Sequence, residues 1–299
     1  MSGSEHRFDG RVALVTGSGV GLGLAHARLL AERGAKVVIN DISTADDGRP
    51  LAEAVAEQLR EDGLEAVAAA GNVGIEAEAR GLVQQTLESF GRIDILINNA
   101  GAGGSGTAQE VTTASFQDTL QVHLFGTFWT MQEALQHMRG QNYGRIVNTT
   151  SALGVFGGPG SVPYVTAKAG VVGLTKAASL DNRDHNIRIN TLAPVAATGY
   201  AAGYFENHPD LDVRYLTAEI VAPVAAYLAH SSCELNAQTL AAGGGRAALL
   251  FSAAVPGLSS RTLSVDEVAG GLAQVTDTEG FRILGSSIEQ YDLLPRFDR

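Results

Sequence analysis

A phenol and an amine face each other across one helical turn in Tyr164-Val-Thr-Ala-Lys168, and a hydroxyl, Ser151, precedes them across a glycine-rich stretch. A helix repeats about every 3.6 residues, so positions i and i+4 share a face and can address one substrate. A free tyrosine titrates near about 10 and is a poor base at neutral pH unless its phenolate is stabilised. Lys168 is placed to do that. In this reading Tyr164 exchanges a proton with a substrate oxygen and Ser151 hydrogen-bonds the same oxygen. Singly, a serine at a strand end or a lysine on a helix is usually structural or solvated; spaced in this way the three read as a redox active site.

Upstream lies Thr16-Gly-Ser-Gly-Val-Gly-Leu-Gly23. Gly17, Gly21 and Gly23 permit a tight turn, a close backbone approach to a pyrophosphate and close packing of the next helix. Ser18, Gly19, Val20 and Leu22 complete the loop, and the helix that follows offers oriented N–H groups to phosphates. Asp41 closes the second candidate strand, about 20 residues on, where a carboxylate accepts hydrogen bonds from an adenosine ribose. A 2′-phosphate would meet that carboxylate unfavourably, and neither residues 18–22 nor 42–44 contain an Arg or Lys to compensate. The cofactor expected is therefore NAD. Asp46 and Asp47, just beyond, are expected to begin a helix.

Short β-branched runs alternate with longer helical patterns, as in parallel βαβ units. Strands are expected at residues 11–16, 36–40, 65–70, 93–98, 145–150 and 188–192. Helices of crossover length are expected at 24–33, 51–61, 76–90, 116–138 and 165–184. The fold class that follows is α/β, a single doubly wound domain with ligands beyond the carboxyl ends of the strands. The glycine-rich patches at 101–106 and 154–160 follow strands directly and read as site loops. Residues 196–216 read as a substrate lid. Residues 1–245 form the expected catalytic domain, and 246–299 a C-terminal extension at a subunit interface.

Composition excludes several other roles. The chain has 299 residues, 45% of them hydrophobic, enough for a large core. Its net charge of −11 is dispersed, with no Lys/Arg cluster to track phosphates, so no nucleic-acid partner is expected. The single cysteine, Cys233, cannot form an intrachain disulfide and reads as a small packed residue, in keeping with a reducing cytoplasm. The start of the chain lacks the apolar core of a signal peptide, and Arg246 with a Gly triplet interrupts the apolar residues 240–258, so no membrane partner is expected. The seven histidines are scattered without ligand spacing, and no metal is expected.

Taken in order, the 16–23 loop, Asn72-Val73, Asn98-Asn-Ala-Gly101, Ser151, and Tyr164 with Lys168 resemble the short-chain dehydrogenase/reductase family over approximately residues 8–245. The resemblance implies a mainly parallel seven-stranded Rossmann sheet and a catalytic set of Ser151, Tyr164 and Lys168. It implies that Asn72 and Val73 flank the adenine, that Asn99, Ala100 and Gly101 line the cofactor cleft, and that Tyr164 and Lys168 reach the nicotinamide ribose. His123, in Val122-His-Leu, stands where many members carry an Asn that supports a proton relay. It either continues that relay through a ring nitrogen or is a satisfied core histidine. Thr198 stands slightly early for the cofactor-contacting threonine. Val-Val-Ile-Asn-Asp41, Tyr143-Gly-Arg-Ile-Val147 and Glu219-Ile-Val-Ala-Pro223 are similar to the hydroxyacyl-CoA dehydrogenase domain of multifunctional enzyme type 2 and its bacterial stand-alone relatives. That implies a 3-hydroxyacyl-CoA or steroid-type secondary alcohol as substrate, a place in lipid metabolism, and a homodimer or homotetramer. Arg214 is the one obvious cation near the lid for a CoA phosphate. A free cyclic alcohol, steroid or terpene oxidoreductase is the alternative, and a non-catalytic dinucleotide-binding protein the remote one.

Overall fold

The computed structural model describes residues 6–198 and 212–295. The lid expected at 196–216 falls mostly outside them. Two compact units divide the chain, Met1–Leu249 and Leu250–Arg299.

The first unit alternates strand and helix: β1 (Val12–Thr16), α1 (Gly21–Glu32), β2 (Lys36–Asn40), α2 (Leu51–Glu61), β3 (Ala66–Ala68), α3 (Glu76–Phe90) and β4 (Ile95–Asn98). Then follow α4 (Thr113–Leu120), α5 (Gly126–Gly140), β5 (Gly144–Thr149), α6 (Ala152–Phe156), α7 (Val162–Asp181), β6 (Ile187–Pro194), α8 (Ala218–Ala229) and β7 (Thr239–Gly243). With a last strand β8 (Arg246–Leu250), the sheet order is β3-β2-β1-β4-β5-β6-β7-β8, with parallel pairing from β3 through to β7. The order reverses between β1 and β4, the crevice where doubly wound sheets take ligands.

The strands are apolar throughout because helices cover both faces of the sheet. Successive side chains point to opposite faces. Ala13, Val15, Val37, Ile39, Ile95 and Ile97 therefore enter a core with α1, α2 and α8, while Leu14, Val38, Leu96, Ile146 and Ile189 enter the other with α3, α5 and α7. Cys233 is buried in the first of these cores.

The sheet has eight strands rather than seven. Gly244 and Gly245 both have positive φ (60° and 73°), the requirement of a tight two-residue hairpin, and they turn β7 into β8 (Arg246–Leu250). Residues 116–138 are not one helix: α4 and α5 are joined by a π-helical turn, Gln121–Phe125. The helix carrying Tyr164 begins earlier than expected, at Val162, because Pro163 suits a first turn where no N–H partner is needed. Asp46 and Asp47 start no helix; they lie in a turn closed by the Thr44–Pro50 bridge, with Asp47 paired to Arg49 at 2.7 Å.

In the second unit, α9 (Val265–Gly270) is fixed by a full capping box between Ser264 and Glu267, and a short α10 (Leu272–Val275) follows. None of its described residues is buried. Among the described residues of the chain, no helix is long and apolar enough to cross a membrane.

Candidate active site

The glycine loop is shaped by what a side chain would strike. A Cβ on Gly17 would lie 2.7 Å from Ala100 Cα, one on Gly23 would lie closer still to the Gly17 carbonyl, and one on Gly19 would lie 2.7 Å from an Asp41 oxygen. Gly21 has φ +56° and faces Thr198, with an added Cβ 3.5 Å from that side chain. Ser18 contributes only backbone to the loop surface: its hydroxyl donates to Val15 O at 2.7 Å and accepts from Asn40 N–H at 3.0 Å, fully buried. Val20, exposed, is the N-cap of α1 and makes no side-chain cap, and no acid occupies the first turn. The leading N–H groups of α1 are thus open to an anion. Leu22 packs against the core.

Asp41 is held by backbone. Its two oxygens accept from Gly19 N–H at 3.0 Å and Ser43 N–H at 2.9 Å. With Ile42, Ala70, Gly71, Asn72 and Glu78 it lines a cavity of about 450 Å³ that contains no Lys or Arg. Asn72 accepts Gly74 N–H through its side chain at 2.8 Å. Val73 turns away into the core against Gly126. Asn99 bonds the carbonyls of Thr16 and Gly17 at 3.1 and 2.9 Å, and Thr16 Oγ1 accepts the N–H groups of both Asn99 and Ala100. Glycines where a Cβ would collide, a helix start with no side-chain cap and a cavity lined by Asp41, Asn72 and Glu78 fit a dinucleotide.

At the other end of the crevice Ser151, Tyr164, Lys168 and His123 converge. Ser151 accepts Leu153 N–H at 3.2 Å, and its hydroxyl lies near enough to the Tyr164 phenol to act on its proton affinity. Burial pushes the phenol's pKa up and the neighbouring Ser151 hydroxyl draws it down. Lys168 Nζ lies 5.6 Å from the centre of the Tyr164 ring and donates to Thr149 O at 2.7 Å. Complete burial lowers its pKa to about 7. α6 packs tightly on α7 at this level: a Cβ on Gly154 would sit 2.7 Å from Lys168 Cβ. His123, in the π turn, meets the Tyr164 ring edge-on at 5.1 Å and 88°. Desolvation, followed by the Lys168 charge, lowers the imidazole to about 3. Gly101 lies against that ring.

Two arrangements escaped the sequence reading. A buried chain of side chains ties the sheet to its helices beneath the site: Thr130 Oγ1 to Asn98, Asn98 to Asn148, and Asn148 to Thr175, at 2.7 to 2.9 Å. Its signal was present, since an Asn closing one apolar strand and an Asn within the next need partners. The second is a backbone bridge between the two glycine-rich patches, Gly106 N–H to Gly160 O at 2.9 Å and Val162 N–H to Gly106 O at 3.1 Å, for which the sequence carries no signal.

The short chain dehydrogenase family matches residues 11–206. A short-chain type dehydrogenase/reductase of Mycobacterium tuberculosis is 37% identical over 92% of the chain and 97% of its own length. The peroxisomal multifunctional enzyme type 2 of Drosophila melanogaster is 35% identical over 97% of the chain, which spans about half (49%) of that protein. Its full-length structure superposes with a TM-score of 0.79 at 31% identity, covering 96% of this chain and 49% of that one. Levodione reductase gives a TM-score of 0.71 at 33% identity, covering 80% of this chain and 98% of that one. The crevice described above is thus that of a known lineage: the chain belongs to the short-chain dehydrogenase/reductase family and is an oxidoreductase built on a dinucleotide-binding Rossmann fold.

Proposed function

We propose that the protein is an NAD-dependent dehydrogenase that interconverts a secondary alcohol and a ketone, acting on a 3-hydroxyacyl-CoA or a steroid-type hydroxyl. The observation that carries this is the Tyr164 phenol, with the Ser151 hydroxyl beside it and a buried Lys168 one helical turn away, at the end of a crevice whose other end offers the Asp41 carboxylate. A bound nicotinamide dinucleotide supplies the hydride acceptor for oxidation or the donor for reduction. Gly17, Gly19, Gly21 and the start of α1 hold its phosphates, Asp41 its adenosine ribose, and Asn99 to Gly101 line its path. Tyr164 takes the hydroxyl proton from an alcohol, or returns one to a ketone oxygen. Ser151 holds that oxygen. Lys168 would stabilise the phenolate by its charge when protonated, and would hold the nicotinamide ribose of the bound cofactor.

The thioester reading is supported by similarity to multifunctional enzyme type 2. A free cyclic ketone or alcohol is the second reading. Likeness to levodione reductase favours it, as does Arg214, which is 82% exposed and already paired with Asp212 at 2.6 Å rather than set for a CoA phosphate. We further propose a homo-oligomer in a reducing cytoplasm: the second unit leaves Phe281, Ile288, Tyr291 and Leu294 exposed, apolar surface that a second copy would cover.

The test follows nicotinamide absorbance with NAD and NADP against 3-hydroxyacyl-CoAs, steroid alcohols and small cyclic alcohols. Turnover of CoA esters with NAD is the expected result, and turnover of free alcohols alone would move the protein to the second reading. Dinucleotide binding without turnover of any class would count against catalysis.

A further inference from the structure

Residues 101–107 read Gly-Ala-Gly-Gly-Ser-Gly-Thr, a strip beside the reacting groups. Glycine has little conformational preference of its own, so the strip must be held from outside. It is tied at its far end by the backbone bridge between Gly106 and residues 160–162. It lies directly on the helical segment beneath, since a Cβ on Gly104 would come 2.7 Å from Thr119 and one on Gly101 would come 2.7 Å from His123 Cε1. At its near end the tie is a side chain: His123 Nε2 is 2.7 Å from Ala102 O and 3.2 Å from Ala102 N.

Those two contacts compete for one nitrogen. The carbonyl contact is the shorter, 2.7 against 3.2 Å, and two lone pairs would repel at that distance, so the geometry assigns the proton to Nε2 over the alternative in which Ala102 N–H donates to it. The ring is then the neutral Nε2–H tautomer. Its Nδ1 is an acceptor, buried and without a hydrogen-bond partner. The same ring contacts Tyr164 edge-on at 5.1 Å. The π turn places it there: the wider turn adds a residue to the helical repeat, and its His123 carbonyl is satisfied by Thr127 Oγ1 at 2.8 Å.

Resting on the dehydrogenase reading above, we propose that His123 is a positioning residue. It pins the glycine strip to the π turn through Ala102, and it sets the strip and the Tyr164 ring in one register without carrying a proton itself. A proton carrier must exchange a proton from a nitrogen open to the relay, whereas this ring spends its one N–H on a peptide carbonyl.

The experiment compares His123→Ala and His123→Gln with the wild-type chain, reading kcat, its pH profile, NADH affinity and the imidazole ¹⁵N shifts. Glutamine offers an amide N–H of comparable reach and has no titratable group. His123→Ala is expected to lower kcat and weaken NADH binding, each by about tenfold, as for the loss of one buried hydrogen bond. His123→Gln is expected to recover most of both with an unchanged pH profile. The wild-type ring should show the neutral Nε2–H pattern from about pH 5 to 8, below which an ordinary histidine would already be charged. The proposal is overturned if Gln is as impaired as Ala while NADH affinity is normal in both, if Ala leaves kcat and NADH affinity intact, or if the ring titrates in that range. NADH affinity and ring shifts are read without turnover. If the Ala variant does not fold, Gln and the wild-type spectrum decide the matter. Normal turnover in Tyr164→Phe would defeat the dehydrogenase reading instead, and would leave those two readouts standing.

Discussion

The two ends of the crevice are built by opposite means. Around the glycine loop, recognition is assembled from backbone and from missing side chains: Asp41 is fixed by two peptide N–H groups, and Gly17, Gly19 and Gly23 occupy places where a methyl group would collide. Around Tyr164, the proposed chemistry rests on buried side chains, and burial moves their proton affinities: Lys168 to about 7, His123 to about 3, and Tyr164 upward. The first end tolerates little change in shape and the second little change in chemistry. Substitutions should therefore separate binding from turnover according to the end they touch.

The largest expected effect is at the reacting end. On the proposed function, Tyr164→Phe removes the hydroxyl assigned to the proton transfer and should lower kcat by about 10²–10⁴-fold while NAD affinity, read by fluorescence titration, changes little. Equal losses in binding and turnover would erase the contrast between the ends. At the dinucleotide end the pattern should invert. Gly19→Ala drives a methyl into Asp41 and Leu51, and Asp41→Ala removes the carboxylate; each should weaken NAD by about 10–100-fold, the worth of a charged hydrogen bond, and shrink the preference over NADP. An unchanged NAD to NADP ratio in both variants would refute the role given to Asp41.

Two smaller effects sharpen the comparison through stability. Lys168 has a folded pKa below its unfolded value, so the unfolded chain binds more protons between about pH 7 and 10.5 and the cost of burying the charge is fully present below 7. Lys168→Met should thus raise the melting temperature of the cofactor-free protein at pH 6 by a few degrees, about 1–2 kcal/mol for a domain of this size, while abolishing turnover. A lower melting temperature would mean that the bond to Thr149 outweighs desolvation.

His26, on α1, has both ring nitrogens buried without partners and a pKa lowered to about 4 from 6.5. Its neutral form favours the folded state, so stability is lost as pH falls from 6.5 towards 4. His123 adds to the loss down to about 3. His26→Leu should flatten urea-unfolding stability over pH 4.5–6.5 by roughly 1–3 kcal/mol; a slope equal to wild type would show that the ring is hydrated in solution.

Much of this was legible in the chain. Apolar runs marked β1, β2, β4 and β5 because strands covered on both faces have no polar face to show. The glycine spacing marked the loop, and the i, i+4 pair marked the helix of Tyr164. The π turn was not legible, since Val122-His123-Leu-Phe has ordinary helical composition and the extra residue is set by packing against Gly101 and Tyr164. The eighth strand was hidden too. Its glycine triplet reads as an interruption of an apolar run, and only the positive φ of Gly244 and Gly245 makes it a hairpin.

By itself, then, the sequence determined the α/β order, the placing of the glycine loop and Asp41 on consecutive elements, and the pairing of Tyr164 with Lys168, because these depend on contacts a few residues apart or on the repeat of a strand or helix. Tertiary structure decided what depends on distant segments meeting in the interior. It brought Ser151 to the phenol, buried Lys168 against Thr149, and set His123 between Ala102 and Tyr164. Desolvation there changes what each side chain can do with a proton, and no local pattern records which groups will lose their water.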